Sequence, residues 1–393
     1  MTYRDNPHAL TRPRPLIDLI PDYRDDLDVS DEDDSFYGRD DDFLIPPKLQ
    51  AAIARTTDRI PRRVKRYTVV YIAIAFLALL SWWTYFGPRH TAHRQETRLM
   101  DTAPPMGYGS NVRPQFKGMI QLRDMDEQHL PKKHGRLVFV GDVHGCSQEL
   151  EHLLQKLAFD HKHDHLVLTG DMIAKGPDSA GVIKLAQKLG ASCVRGNWED
   201  KLLLSLAEAQ HRHVLSLPGP DESPDRKIDF LDDVSHSHGD YALRSLAKHL
   251  NHGQITYLAT CPVILRIGTL PGLGPLVAVH AGLVPDLPLE QQDPFHVMNM
   301  RTIDLKTRIP SSKHGGGTPW ETFWNHRQRK LNKEERTTVV YGHNRKRGLN
   351  IQEYTYGLDT GCVSGGKLTA LVVDAQGKTE IVHVKCGKKG GYD

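Results

Sequence analysis

The sequence predicts an α/β domain of two packed sheets, flanked by helices and preceded by a single membrane-spanning helix. Three observations carry this. Tyr67–Phe86 is a run of twenty residues without a charge. From residue 136, short apolar runs alternate with segments apolar at helical spacing. Beyond residue 262, strand-like runs dominate, as expected of a second sheet packed against the first.

The elements follow in order. Residues 1–66 read as a cytosolic tail without a packed core. They hold 12 Lys+Arg and 14 Asp+Glu, which leaves the remaining chain with a net charge of about +5. Asp25 to Asp42 contains ten acidic residues, a composition that stays solvated rather than buried. Within it, Asp40-Asp41-Asp42-Phe43-Leu44-Ile45 resembles an acidic dileucine signal, and a cytosolic sorting adaptor is the partner expected there. Residues 67–86 form the anchor: as a helix they measure about 30 Å, one hydrocarbon thickness. Trp82, Trp83 and Tyr85 suit the membrane interface. Arg55, Arg59, Arg62, Arg63, Lys65 and Arg66 precede the run, against Arg89, Arg94 and Arg98 after it. The positive-inside bias therefore puts the N-terminus in the cytosol and the bulk of the chain in a lumen or outside.

Residues 87–133 show no sustained period and read as a stem. The globular domain is expected over 134–386. Its strands are expected at Arg136–Val140, His165–Thr169 and Ala191–Val194. The helices between them are marked by Leu150, Leu153, Leu154 and Leu157 behind a Ser147 cap, and by Ala180–Leu189. Another helix starts at Glu199. Residues 216–240 are polar and Pro-rich and read as an insertion loop. Strand-like runs follow at Val263–Ile267, Leu276–His280, Thr337–Tyr341, Leu368–Val373 and Glu380–Val384. The five cysteines, Cys146, Cys193, Cys261, Cys362 and Cys386, form no CxxC pair. They suggest neither a disulfide framework nor a zinc–cysteine site, and are expected as small buried packing residues.

Ligand-type side chains sit at the ends of five strands. Asp142 and His144 follow the first, Asp171 the second and Asn197 the third; His280 and His343 each close a later apolar run. In open α/β folds the strands' C-terminal ends are where sites form. Mixed N/O ligands without thiolates suit Zn, Mn or Fe rather than Ca.

In the order GDVHG, GDMIAKGPDS, GNWE, HAG and GH, these residues resemble the calcineurin-like metallophosphoesterases, in their phosphoprotein-phosphatase branch, over residues 136–375. The resemblance implies a metallophosphoesterase-type β-sandwich flanked by helices. It also implies two divalent metal ions (Zn, Mn, Co or Fe), with Asp142, His144 and Asp171 on one and Asp171, Asn197, His280 and His343 on the other. Asp142, His144, Asp171 and His343 would be catalytic, through a metal-activated hydroxide attacking phosphorus in line. Lys175 stands where the family has a phosphate-clamping Arg. Arg301, Arg345 and Arg347 are further candidates for substrate contact, and Arg327, Arg329, Lys330, Lys333 and Arg336 extend a possible polyanion track. The family's leaving-group acid, a His in the third motif oriented by an Asp in the second, is replaced here by Trp198 and Ala174. A serine alkoxide needs such an acid, whereas a phosphate leaving an anhydride does not.

The expectation is thus hydrolysis of phosphoanhydride bonds in inorganic polyphosphate, in the manner of the vacuolar-membrane endopolyphosphatases of the family. The catalytic domain would be lumenal, and no nucleic-acid partner is expected. The segment Gly357-Leu358-Asp359-Thr360-Gly361-Cys362-Val363 resembles that of diadenosine-tetraphosphate hydrolases and keeps a dinucleoside polyphosphate open as substrate. The same residues also admit a phosphoprotein phosphatase or a membrane-anchored phosphate-binding module.

Overall fold

A computed structural model describes residues 61–102, 118–211 and 241–387. The tail with its Asp40–Ile45 signal and the 216–240 loop lie outside these residues. The chain divides into two compact units at Pro88. In the first, helix α1 (Arg62–Ser81) starts behind Pro61 and buries none of its residues. A π-helical turn, Trp82–Phe86, follows it. Among the described residues, one helical run, Arg62–Thr102, is long and apolar enough to cross a membrane.

The second unit, from Arg89 on, holds all but the first two residues of helix α2 (Gly87–Thr102) and then, among the described residues, fourteen strands. In chain order these begin with β1 (Leu122–Asp124), β2 (Arg136–Val140), β3 (His165–Leu168), β4 (Ser192–Cys193), β5 (Ile264–Leu270) and β6 (Gly274–Val279). Three two-residue strands follow, β7 (Thr302–Ile303), β8 (Pro310–Ser311) and β9 (Thr318–Pro319). The last are β10 (Thr338–Tyr341), β11 (Asn350–Gln352), β12 (Thr355–Gly357), β13 (Lys367–Asp374) and β14 (Thr379–Lys385). The helices after α2 are α3 (Ser147–Lys156), α4 (Ser179–Lys188), α5 (Asn197–His211), α6 (Tyr241–His249), α7 (His252–Thr260), α8 (Pro294–Asn299) and α9 (Trp320–Gln328).

Two large sheets result, ordered β1-β5-β6-β10-β12-β11 and β14-β13-β2-β3-β4. Period-two alternation assigns the layers. Leu137 and Phe139 of β2 point into the core between the sheets, with Leu265, Leu276, Val340 and Leu371. Val138 and Val140 point the other way, onto Leu150, Leu153 and Ile183 of α3 and α4. On the far side, Val277 and Val339 meet Val297 of α8 and Phe323 and Trp324 of α9. The result is a helix–sheet–sheet–helix sandwich.

The structure corrects several expectations. β13 and β14 belong to the first sheet, because β13 pairs antiparallel with β2 from Ala370–Val140 to Asp374–Arg136. Both faces of β13 are apolar, so its pattern alone cannot say which sheet it joins. Parts of the stretch read as a stem are built into the sandwich. β1 pairs parallel with β5, and Met100 of α2 is buried in the outer core. Ser147 does not cap α3; its hydroxyl donates to Asp178 Oδ2 at 2.7 Å, and Asp178 in turn caps α4 by accepting from Gly181 N.

The cysteine reading is overturned. Cys193 pairs with Cys261 and Cys362 with Cys386, leaving Cys146 as a buried thiol. The partners lie 68 and 24 residues apart in the chain, so only the fold brings them together. One bridge ties β4 to the end of α7, and the other ties the Asp359–Cys362 turn to the end of β14. Replacing Cys193 and Cys261 together by Ser is expected to lower stability by about 2–4 kcal/mol. Urea unfolding of the variant against the oxidised wild type measures this, and coincident curves would refute it.

At the other end of β3, His165 is buried with its ring stacked on His129, centroids 3.8 Å apart, and Nε2 beside Ser192 Oγ at 2.8 Å. Burial, then the charge of His129, pushes its pKa from 6.5 down to about 4. Between those values the unfolded chain binds the extra proton and the fold does not. The contribution is therefore complete above pH 6.5 and is lost as pH falls toward 4, by up to about 3 kcal/mol. Denaturant unfolding of wild type and His165→Gln at pH 7.5 and 4.5 tests this; an equal pH dependence in both proteins would refute it.

Candidate metal centre

The parallel strands β2, β3 and β4 end on one side of their sheet, and the parallel pair β6 and β10 ends beside them. The loops leaving these ends carry the six ligand-type residues. Asp142, His144 and Asp171 place their ligand atoms within 4.8 Å of one another, and so do Asp171, His280 and His343. Asp171 is common to both groups. Its Oδ2 lies 3.4 Å from His144 Nε2 and its Oδ1 3.3 Å from His280 Nε2. Asn197 presents Oδ1 to His280 Nε2 at 3.0 Å.

The backbone bends sharply to achieve this. His144, Asp171, Ala174, Lys175 and His343 all have positive φ, from 45° to 68°, a region costly for non-glycine residues and typical of functional sites. In the first ligand loop the left-handed position falls at His144 itself. Two motif glycines are required by close approach. A Cβ on Gly196 would sit 2.3 Å from Asp171 N and Oδ1, and one on Gly342 would sit 2.1 Å from Asp142 Oδ1.

Backbone carbonyls fix each imidazole. His144 Nδ1 donates to Ile173 O at 3.0 Å, His280 Nδ1 to Thr169 O at 2.9 Å and His343 Nε2 to Asn299 O at 3.1 Å. A carbonyl can only accept, so those nitrogens carry the protons. The opposite nitrogens, His144 Nε2, His280 Nε2 and His343 Nδ1, are turned into the site, the orientation metal-ligating histidines take.

The electrostatics favour a cation. His280 Nε2 faces Asp171 Oδ1, Asn197 Oδ1 and, at 3.2 Å, His343 Nδ1, all of them acceptors. Burial opposes charge on this ring, yet Asp171 and then Asp142 drive its pKa up to about 10. Burial, then Lys175, pushes His144 down to about 3, and burial, then the Arg301 charge, pushes His343 well below its ordinary value. Burial and then the charge of Asp359 push Asp142 well up. Burial works to raise Asp171 as well, but His280, and after it His144 and Lys175, hold it below the carboxylate range. A buried cluster of acceptors sharing too few protons is relieved by divalent ions, and this donor set fits two of them.

The sequence model of the family described as calcineurin-like phosphoesterase matches residues 135–363. The chain belongs to this family. The phosphoesterase is 28% identical over 280 residues to the zinc-dependent endopolyphosphatase of Saccharomyces cerevisiae, covering 66% of this chain and 83% of that one. It is 30% identical over 276 residues to the symmetrical bis(5'-nucleosyl)-tetraphosphatase of Ectopseudomonas mendocina, covering 60% of this chain and 94% of that one. A crystal structure assigned provisionally as a diadenosine tetraphosphatase is 32% identical with a TM-score of 0.50, covering 69% of this chain and 100% of that one. The chain is therefore a metallophosphoesterase hydrolase, with Asp/His groups able to bind metal ions.

Two acidic residues of this phosphoesterase are not evident as site residues in the sequence. Glu199 is fully buried and accepts from Asp171 N, Met172 N, Ile173 N and Gly196 N at 2.8, 2.8, 3.2 and 2.9 Å. One carboxylate thereby ties the second ligand loop to the third. Asp359 is buried against Asp142 and accepts from Gly361 N at 3.0 Å. Their place in GNWE and GLDTG was the available signal, but only the fold shows what they touch.

The basic candidates divide. Lys175 Nζ stands 3.2 Å from His144 Nε2. Arg301 is buried, donates to Ser312 O at 2.8 Å, and acts electrostatically on His343. Arg345 donates to Ser364 Oγ and packs its stem against Gly361. Arg347 instead pairs with the buried Glu321 at 2.7 Å. Arg327 pairs with Asp286 at 2.9 Å, Arg329 with Glu353 at 2.8 Å, and Lys330 with Asp101. Much of the expected polyanion track is thus matched by local acids.

Proposed function

We propose that this chain is an endopolyphosphatase, cutting phosphoanhydride bonds within inorganic polyphosphate, with its catalytic domain in the vacuole lumen behind a type II anchor. The carrying observation is a ligand set complete at all six positions beside a missing proton donor. Trp198 and Ala174, where the family's acid pair would stand, contribute no titratable group, and both are buried. A hydrolase without that acid suits a leaving group that departs unprotonated, as a phosphate does. The yeast relative's activity supports the polymer as substrate.

In this reading two divalent ions, when bound, supply Lewis acidity and an activated water. The protein's own part is to hold them and the substrate. Asp171 would serve both ions, with Asp142 and His144 completing one set and Asn197, His280 and His343 the other. Lys175, positioned by the strained Ala174–Lys175 turn, neutralises the phosphoryl oxygens. The lumenal placement is supported by the excess of Arg and Lys before the anchor and by two disulfides, which persist in oxidising compartments.

Full-length protein in detergent, loaded with Zn, Mn or Co, is expected to shorten long-chain polyphosphate into mid-sized fragments. Activity confined to a phosphopeptide would sink the proposal. Preference for a dinucleoside tetraphosphate would favour the second reading, which rests on the Gly357–Val363 segment and the bacterial relatives. Protease protection of the C-terminus in sealed vacuoles tests the topology, and an accessible C-terminus would refute it.

A further inference from the structure

Trp198 is more than a packing residue. It is buried in the core outside the five-stranded sheet, yet its indole Nε1 has no hydrogen-bond partner among the described residues. An orphaned donor of this kind is unfavourable, so packing alone would favour Phe. What indole offers beyond Phe is the strongest cation-binding face among the side chains. Two ammonium groups use it: Lys175 Nζ lies 4.6 Å and Lys201 Nζ 4.7 Å from the ring centroid. Lys201 stands one turn beyond Trp198 on α5, on the same helix face. The ring itself stands edge-on to His144, centroids 6.3 Å apart. The Trp198 backbone N–H donates to Asp171 Oδ1 at 3.1 Å, so the indole is anchored to the metal centre through its own main chain. An anion that reached both ammonium groups would be held by two charges rather than one.

We propose that Trp198 is a positioning residue that holds Lys175 and Lys201 as a paired cation beside the metal centre, and that Lys201 grips the phosphate adjoining the one being cut. The inference rests on the phosphoanhydride reading above and adds the substrate class: condensed phosphates with at least two adjacent units rather than monoesters. Lys175 would meet the phosphoryl group under attack and Lys201 its neighbour, so a monoester would leave Lys201 without a phosphate to hold.

The test compares tripolyphosphate with p-nitrophenyl phosphate in the full-length, metal-loaded protein. For Lys201→Ala and for Trp198→Phe, the ratio of kcat/KM values, tripolyphosphate over aryl phosphate, is expected to fall about tenfold. The double variant should lose little more than the worse single one, and Lys201→Arg should restore most of the ratio. A merely structural role would lower both substrates equally and leave the ratio in place, which would overturn the proposal. Calorimetric binding of tripolyphosphate to Asp142→Asn, with and without Lys201→Ala, gives a readout independent of turnover. Weaker binding without Lys201 supports the paired cation; equal affinity refutes it. Should the wild type cut only the aryl phosphate, the phosphoanhydride reading fails, and this binding comparison still decides the lysine pair.

Discussion

Asp171→Asn is expected to abolish hydrolysis, by about a thousandfold or more, and to strip metal from the protein. Asp171 is the one carboxylate common to both ligand groups. His280, then His144 and Lys175, keep it ionised against the cost of its burial. Asparagine preserves the shape and still accepts from the Trp198 N–H, but it removes the charge that draws a cation toward His144 Nε2 and His280 Nε2. Elemental analysis after dialysis, alongside turnover and a thermal melt, separates this from unfolding. Two ions per chain in the variant, or activity within about tenfold of wild type, would disprove a bridging role.

Glu199→Ala is expected to have the largest effect on stability, about 3–5 kcal/mol, with loss of metal as a consequence. The four N–H groups that converge on this carboxylate come from 171–173 and from Gly196, so its removal leaves buried donors unpaired and frees two ligand loops at once. Burial, then the charge of Asp171, raises its pKa to about 7. Its hold on the loops comes from the charge-assisted bonds it accepts. Glutamine keeps one acceptor oxygen but turns an NH2 toward these donors, and should recover only part of the loss. Chemical denaturation with metal titration measures both effects; an alanine variant as stable as wild type would refute the role.

Asp171 and Glu199 differ in how legible they are. Asp171 can be recognised because it follows an apolar strand in a characteristic motif. Glu199 stands in a motif too, but a glutamate near a helix start reads as a favourable charge at the helix N-terminus. Three of its four partners are backbone groups 26 to 28 residues earlier in the chain. Arg347 shows the converse. In sequence it belongs to a basic run suited to a polyanion, and in the fold it satisfies buried Glu321.

The local elements, and the places where ligand-type residues fall on them, follow from the chain's residues alone. Strand β2 lies at the bounds expected of it, and the helix between β2 and β3 lies where the leucine spacing puts it. These properties depend on side-chain periodicity within a few residues, which burial of one face enforces. Folding settles the rest: which sheet receives β13, that β1 and α2 join the sandwich, which cysteines pair, and which cations are already matched by acids. It also gathers two lysines on Trp198. Each of these outcomes is a meeting of groups distant in the chain or on separate elements, set by strand pairing and packing rather than by any local pattern.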